Sequence, residues 1–266
     1  MIQVIGKEES RLWKKKSDRY RIAGWSVAAK TDIGLKRTVN QDRYTVRSMD
    51  EDTLLAMVAD GLGGDPGGQT AAQYVVDCAD RVDSSKDGGI IPRLLAFFNR
   101  MDRDLGRFSD HDERLDGMAT TLIAVAVKNS VAHWVHSGDS RLYHIRKQGM
   151  EKITEDQTLD RFLVREGELS REEAKTHYSA QILDQCIGCR DLEPECGIVL
   201  LEPEDILVLA SDGLCRHVPD ETIKDVCRQS KTAKQAADNL VRCTLDGGGH
   251  DNVTVAVIKN AGEEQC

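Results

Sequence analysis

Seven runs of Val, Ile, Leu and Ala recur at strand length, over residues 22–29, 53–59, 120–127, 131–136, 142–145, 205–210 and 253–258. Apolar runs of this length, bounded by Gly, Asp and Asn, read as β-strands. The three in the middle are separated by only a few residues, whereas a parallel crossover needs a dozen or more. Residues 120–145 therefore read as an antiparallel meander, and the fold must be built on antiparallel sheets.

Helical periodicity fills the intervals. Ala71, Val75, Val76, Ala79 and Val82 share one face, as do Ile91, Leu94, Leu95, Phe98, Met101 and Leu105 in the next segment. Two later helices are expected over 219–228 and 232–244, the second with Ala233, Ala236, Ala237, Leu240 and Val241 on one side. Strand groups alternating with helix pairs predict an α+β architecture, antiparallel sheets covered by helices. Residues 158–185 are highly charged, and Ser170 with Glu173 forms a capping box. That stretch reads as a helical flap inserted into a single domain over 22–260, with a basic arm over 1–21.

Composition narrows the function. With 266 residues, 40% hydrophobic and 30% charged, the chain can bury a sizeable core, which excludes disorder. A net charge of −9 repels nucleic acid and anionic membranes unless basic groups cluster. The one cluster, seven basic against three acidic residues in the first 25, reads as a solvated arm. The start lacks a signal-peptide apolar region, and the longest apolar run, 122–127, falls far short of the ~18 residues a membrane span needs. A cytoplasmic protein without a membrane span or a nucleic-acid partner is expected. The eight cysteines read as reduced thiols, Cys186 and Cys189 among them as a packed pair, since a structural zinc site usually needs four ligands. Trp134 reads as core, His133, His136 and His144 as surface residues, and His250 equally as a hydrogen-bonding support beside Asp251 or as a turn residue.

Two predicted strands end alike, 54–59 in Asp60-Gly61 and 206–210 in Ser211-Asp212-Gly213. Asp-Gly alone is an ordinary turn. Here it is joined by Gly138-Asp139-Ser140-Arg141, His250-Asp251-Asn252 and Asn40-Gln41-Asp42. Five aspartates at strand edges repel one another if they converge, so convergence requires a cation. Oxygen donors without Cys or His at ligand spacing describe a hard site for Mg²⁺ or Mn²⁺. Five independent turns are the alternative.

The ordered set TDIGLKRTVNQDRY (31–44), VADGLGG (58–64), MATTLIAVAV (118–127), HSGDSRLY (136–143), LASDGL (209–214) and GHDNVTVAVI (249–258) resembles the metal-dependent protein phosphatases of the PPM (type 2C) family, in the short bacterial form. The resemblance spans about 22–259. It implies a four-layer αββα sandwich with two divalent ions, Mn²⁺ or Mg²⁺, at one end. By motif position Asp60 bridges both ions, Asp212 and Asp251 hold the first, the Gly61 carbonyl helps hold the second, and Asp42 binds metal or its waters. Asp139 matches the aspartate that helps hold a third, weaker ion, and Arg37 matches the phosphate-binding arginine. Gln41 and Asn252 are candidates for weaker or supporting roles.

The implied chemistry is hydrolysis of phosphoserine and phosphothreonine by in-line attack of water activated between two metals, opposing a bacterial Ser/Thr kinase, in a monomer. No C-x₅-R loop cradles phosphate, which argues against a cysteine phosphatase. Gln41 stands where many members have Glu, Leu62 where eukaryotic members have His, and Asp65 and Gln69 also depart from the usual bacterial pattern. A pseudophosphatase that binds phosphoproteins and a phosphomonoesterase for small molecules are the competing readings.

Overall fold

The computed structural model describes residues 19–22, 24–64, 66–82, 88–174 and 176–260; the basic stretch before residue 19 and Asp65 lie outside them. The elements follow in the order β1 (Arg19–Ile22), β2 (Trp25–Asp32), β3 (Arg43–Ser48), β4 (Leu54–Ala59), β5 (Gly61–Leu62), α1 (Gly67–Asp77) and α2 (Ile90–His111). Then come β6 (Ala119–Thr120), β7 (Leu122–Lys128), β8 (Val131–Ser137), β9 (Arg141–Arg146), β10 (Gly149–Lys152), α3 (Leu159–Arg165) and α4 (Arg171–Ala174). The chain continues through β11 (Glu195–Leu200), β12 (Ile206–Ala210), α5 (Asp212–Cys215), α6 (Asp220–Gln229), α7 (Ala233–Asp246) and β13 (Val253–Asn260).

One sheet has the order β1-β2-β13-β12-β9-β10 and the other β11-β8-β7-β4-β3, with every pairing antiparallel. Alternation along the strands makes the layers. In β4, Leu54, Ala56 and Val58 face the opposite sheet, while Leu55, Met57 and Ala59 face α1 and α2. In β12, Leu207 and Leu209 point between the sheets, and Ile206, Val208 and Ala210 meet α6 and α7. Both strands are apolar on both faces because both faces are covered. The result is the αββα sandwich, with one core between the sheets and one under each helix pair.

Three expectations need correction. The run 22–29 is two strands, β1 and β2, reversed at Gly24, so residues 19–21 belong to a strand rather than to an arm. The meander stops after β8, because β9 pairs with β12 in the other sheet. Gly138 makes that corner with φ of 113°, where a side chain would press into Thr121. His136 and His144 are fully buried, not on the surface; His144 Nε2 lies 2.7 Å from Asp205, which accounts for its burial.

The flap closes on itself at its neck. Leu159 N–H donates to the Ile182 carbonyl and Asp184 N–H to the Gln157 carbonyl, each at about the length of a strand bond. Its capping box forms as read, Glu173 N–H donating to Ser170 Oγ at 3.2 Å and Ser170 N–H to Glu173 at 3.0 Å. Gln157 exchanges two bonds with Gly138, so the neck is pinned to the turn that carries Asp139.

Candidate active site

All five aspartates lie at one end of the sandwich, each at the edge of a strand. Asp60 follows β4, Asp212 follows β12, Asp251 precedes β13, Asp42 precedes β3, and Asp139 lies in the corner between β8 and β9. Burial and then the charges of Asp42, Asp212, Asp139 and Asp251 push the Asp60 carboxyl well above the usual range. Burial raises Asp42 to about 6, even though Ser211 Oγ donates to it at 2.7 Å. Asp139 is raised to about 7 by burial and then by Asp212. Burial also raises Asp212, with Asp251 adding to the effect. These carboxylates share one field, and only protons or cations relieve it.

Residues outside the predicted set hold the cluster in place. Thr121 N–H and Thr120 Oγ1 donate to the Asp60 carbonyl at 2.8 and 2.9 Å, and Asp60 N–H donates to Thr121 Oγ1 at 3.1 Å. Thr121 Oγ1 also meets Ser140 Oγ at 2.8 Å, which couples the Asp60 backbone to the residue after Asp139. Beside Asp60, a Cβ on Gly61 would run into the Gly68 carbonyl, so the close passage of this turn over the start of α1 demands glycine.

Asn252 is a clamp. Its amide nitrogen donates to the Ile33 and Val39 carbonyls at 2.9 and 3.0 Å, and its oxygen accepts from Gln41 N–H at 2.9 Å. One side chain thus fixes both ends of the loop that carries Arg37. The Gln41 side chain turns to the Gly64 carbonyl at 3.0 Å and ties that loop to the Gly63-Gly64 turn.

Two arginines stand among the aspartates. Arg37 makes a two-point contact with Asp251, and Arg216 reaches Asp212 at 2.7 Å and Asp139 at 3.8 Å. As placed, no three His, Cys, Asp or Glu side chains among the described residues already close on one point at ligand distance. The donor set nevertheless suits a hard divalent ion. It is all oxygen, and Asp42 Oδ1 is buried without a hydrogen-bond partner, a costly arrangement for a carboxylate that a cation would relieve.

The sequence model of the protein phosphatase 2C family matches residues 35–247. The chain belongs to that family. Among relatives of this phosphatase-family chain, the protein phosphatase PhpP of Streptococcus pneumoniae is 32% identical over 242 residues, 87% of this chain and 96% of that one. The serine/threonine phosphatase of S. agalactiae superposes with a TM-score of 0.80 at 32% identity, over 88% of this chain and 99% of its own. The serine/threonine phosphatase PstP of Mycobacterium tuberculosis gives 0.78 at 32%, over 88% and 98%. A PstP catalytic domain solved with two manganese ions gives 0.76 at 31%, over 88% and 97%.

Cys186 and Cys189 pair across one turn, their Cα atoms 5.4 Å apart, the separation a disulfide requires. The Ile187 between them exchanges two backbone bonds with Thr120, at 2.9 and 3.0 Å, so this turn braces the strand that holds Asp60. Burial pushes the thiol of Cys215, near Asp212, up to about 11, away from the thiolate that a cysteine nucleophile uses. Of the two readings of His250 the hydrogen-bonding one fits, since its Nδ1 lies 3.1 Å from Nε2 of His217, whose Nδ1 meets the Gly213 carbonyl.

Proposed function

We propose that this chain is a metal-dependent protein serine/threonine phosphatase that removes phosphate from phosphoserine and phosphothreonine and thereby opposes a Ser/Thr protein kinase. The observation that carries the reading is the convergence of four carboxylates on Asp60 at one end of a phosphatase-family sandwich, with Arg37 at the rim. PhpP, PstP and the S. agalactiae relative bear phosphatase names, and one PstP structure holds two manganese ions.

In this reading Asp60, Asp212, Asp251, Asp42 and the Gly61 carbonyl would hold two divalent ions, Mn²⁺ or Mg²⁺. Such ions, when bound, would lower the pKa of a water and neutralise charge on the phosphoryl group. Arg37 uses its planar fork to orient two phosphate oxygens. Gln41 and Asn252 serve by fixing the loop that aims Arg37. Asp139 lies at the edge where the family resemblance implies a third, weaker ion, and residues 158–185 flank that edge as an insertion within one catalytic domain over 19–260.

We place the enzyme in the cytoplasm as a monomer; no helix among the described residues is long and apolar enough to cross a membrane. The test is substrate class. With Mn²⁺ present, phosphothreonine and phosphoserine peptides should be hydrolysed far faster than a phosphotyrosine peptide or a nucleoside monophosphate. Preference for the nucleotide would replace this reading with a small-molecule phosphomonoesterase.

A further inference from the structure

Arg216 occupies a position that the five-aspartate pattern leaves unexplained. It caps α5, its N–H donating to the Asp212 carbonyl at 2.9 Å, and its side chain turns back one helical turn to the carboxylate of the same residue. The guanidinium lies 2.7 Å from Asp212 Oδ2 and 3.8 Å from Asp139 Oδ2, so one cation answers two carboxylates that follow different strands.

The other cations nearby are engaged elsewhere. Asp139 and Asp212 line a cleft of about 250 Å³ toward the flap, shared with Arg141, Arg161 and Arg216. Arg141 grips Asp156 at 2.6 and 2.9 Å, with Lys152 on the same carboxylate at 3.2 Å. Arg161 stands 4.0 Å from Asp160. Among the described residues Arg216 is the one cation within ion-pair reach of Asp139.

We propose that Arg216 is a tethered cation that takes the place of a third divalent ion between Asp139 and Asp212, so that this chain binds two divalent ions and uses Asp139 to anchor Arg216. The proposal rests on the reading of the site as a metal centre. A guanidinium keeps its charge at every working pH, and its rigid fork meets carboxylates well. It is held by the chain itself, so a weakly bound ion has to displace a partner whose local concentration never falls. A chelator strips divalent ions and leaves Arg216 in place. The Asp139–Asp212 edge then carries one fixed positive charge and no exchangeable ligand.

The test counts ions directly. Mn²⁺ is titrated into the purified full chain, and free aquo-Mn²⁺ is followed by its electron paramagnetic resonance signal. Two bound ions are expected for the native chain and for Arg216→Lys, and a third for Arg216→Ala. Asp139→Asn should leave the native count unchanged and abolish the extra ion of Arg216→Ala. Should Arg216→Ala fail to fold, Asp139→Asn in the native background still decides. Three ions in the native chain, falling to two with Asp139→Asn, would overturn this proposal alone. No Mn²⁺ uptake by a folded chain would overturn both it and the metal-centre reading.

Discussion

Arg37 and Asp251 meet side-on: Nε lies 2.9 Å from Oδ1 and the second guanidinium nitrogen 2.9 Å from Oδ2. Both oxygens of a proposed metal ligand are thus engaged by the proposed phosphate-binding residue, 214 positions away in sequence. A metal ion held by Asp251 would compete with Arg37 for this carboxylate and so free the guanidinium fork for phosphate. Arg37→Ala should therefore lower kcat/KM for a phosphothreonine peptide by about 10- to 100-fold, as loss of a charge-assisted pair does. The same variant should bind Mn²⁺ at least as tightly as the native chain in calorimetric titration. Weakened Mn²⁺ binding would contradict the competition.

Asn252 supports three backbone groups at once, and its removal leaves them without partners in a nearly buried place. Asn252→Ala should cost about 2–4 kcal/mol in urea unfolding. Its activity should fall mainly through KM, because the loop it clamps carries Arg37 rather than Asp60. A loss confined to kcat would argue that Asn252 acts on the metal ligands instead.

How much of this was legible in the sequence depends on what surrounds each element. Strand β4 announces itself because both of its faces are covered, so all six residues are apolar and buried. Strand β11 did not: it is an edge strand whose Cys196, Ile198 and Leu200 face outward, and no covering layer shapes its pattern. Strand β3, RYTVRS, is the opposite edge of that sheet, and its two arginines break the apolar run that marks a covered strand. The aspartates stood out because each is tied to a glycine or polar turn at a strand end. The clamp roles of Asn252 and Thr121 did not, since their partners lie as far as 219 and 61 positions away and no spacing rule reaches that distance. Gly138 shows the same limit: a short connection implied a hairpin, and a single corner instead sent the chain to the opposite sheet.

His136 gives acid sensitivity to the core between the sheets and the flap neck. It is fully buried, neither ring nitrogen has a partner, and burial holds its pKa down to about 4. Asp156 and Lys152 are the charges that act on it. A histidine depressed in the fold stays neutral there, while the unfolded chain takes up the proton first. Its contribution is therefore complete above about 6.5 and is lost as pH falls toward 4. Between pH 7.5 and pH 5.0, His136→Leu should lose about 2 kcal/mol less stability than the native chain in paired urea titrations. Equal losses would show that His136 is protonated without penalty.

Cys186 and Cys189 are placed to form a bridge, and that bridge should be visible chemically. Denatured, unreduced protein should show two fewer reactive thiols than its eight cysteines, and reduction should restore them. A loop this short contributes about 2 kcal/mol by the chain-entropy argument. Reduction should therefore lower the unfolding midpoint modestly, and Thr120 and Ile187 should exchange their amide protons faster. Full thiol titre without reductant would return these two residues to the packed-thiol reading.

The central claim is that the aspartates around Asp60 hold the ions that drive phosphoester hydrolysis. The most direct measurement is turnover of a phosphothreonine peptide by the purified chain with Mn²⁺, with EDTA, and by Asp60→Asn with Mn²⁺, each preparation shown folded by circular dichroism. Turnover in the first condition and its loss in the other two is the predicted result. Turnover that survives EDTA or the Asp60 substitution would contradict the account.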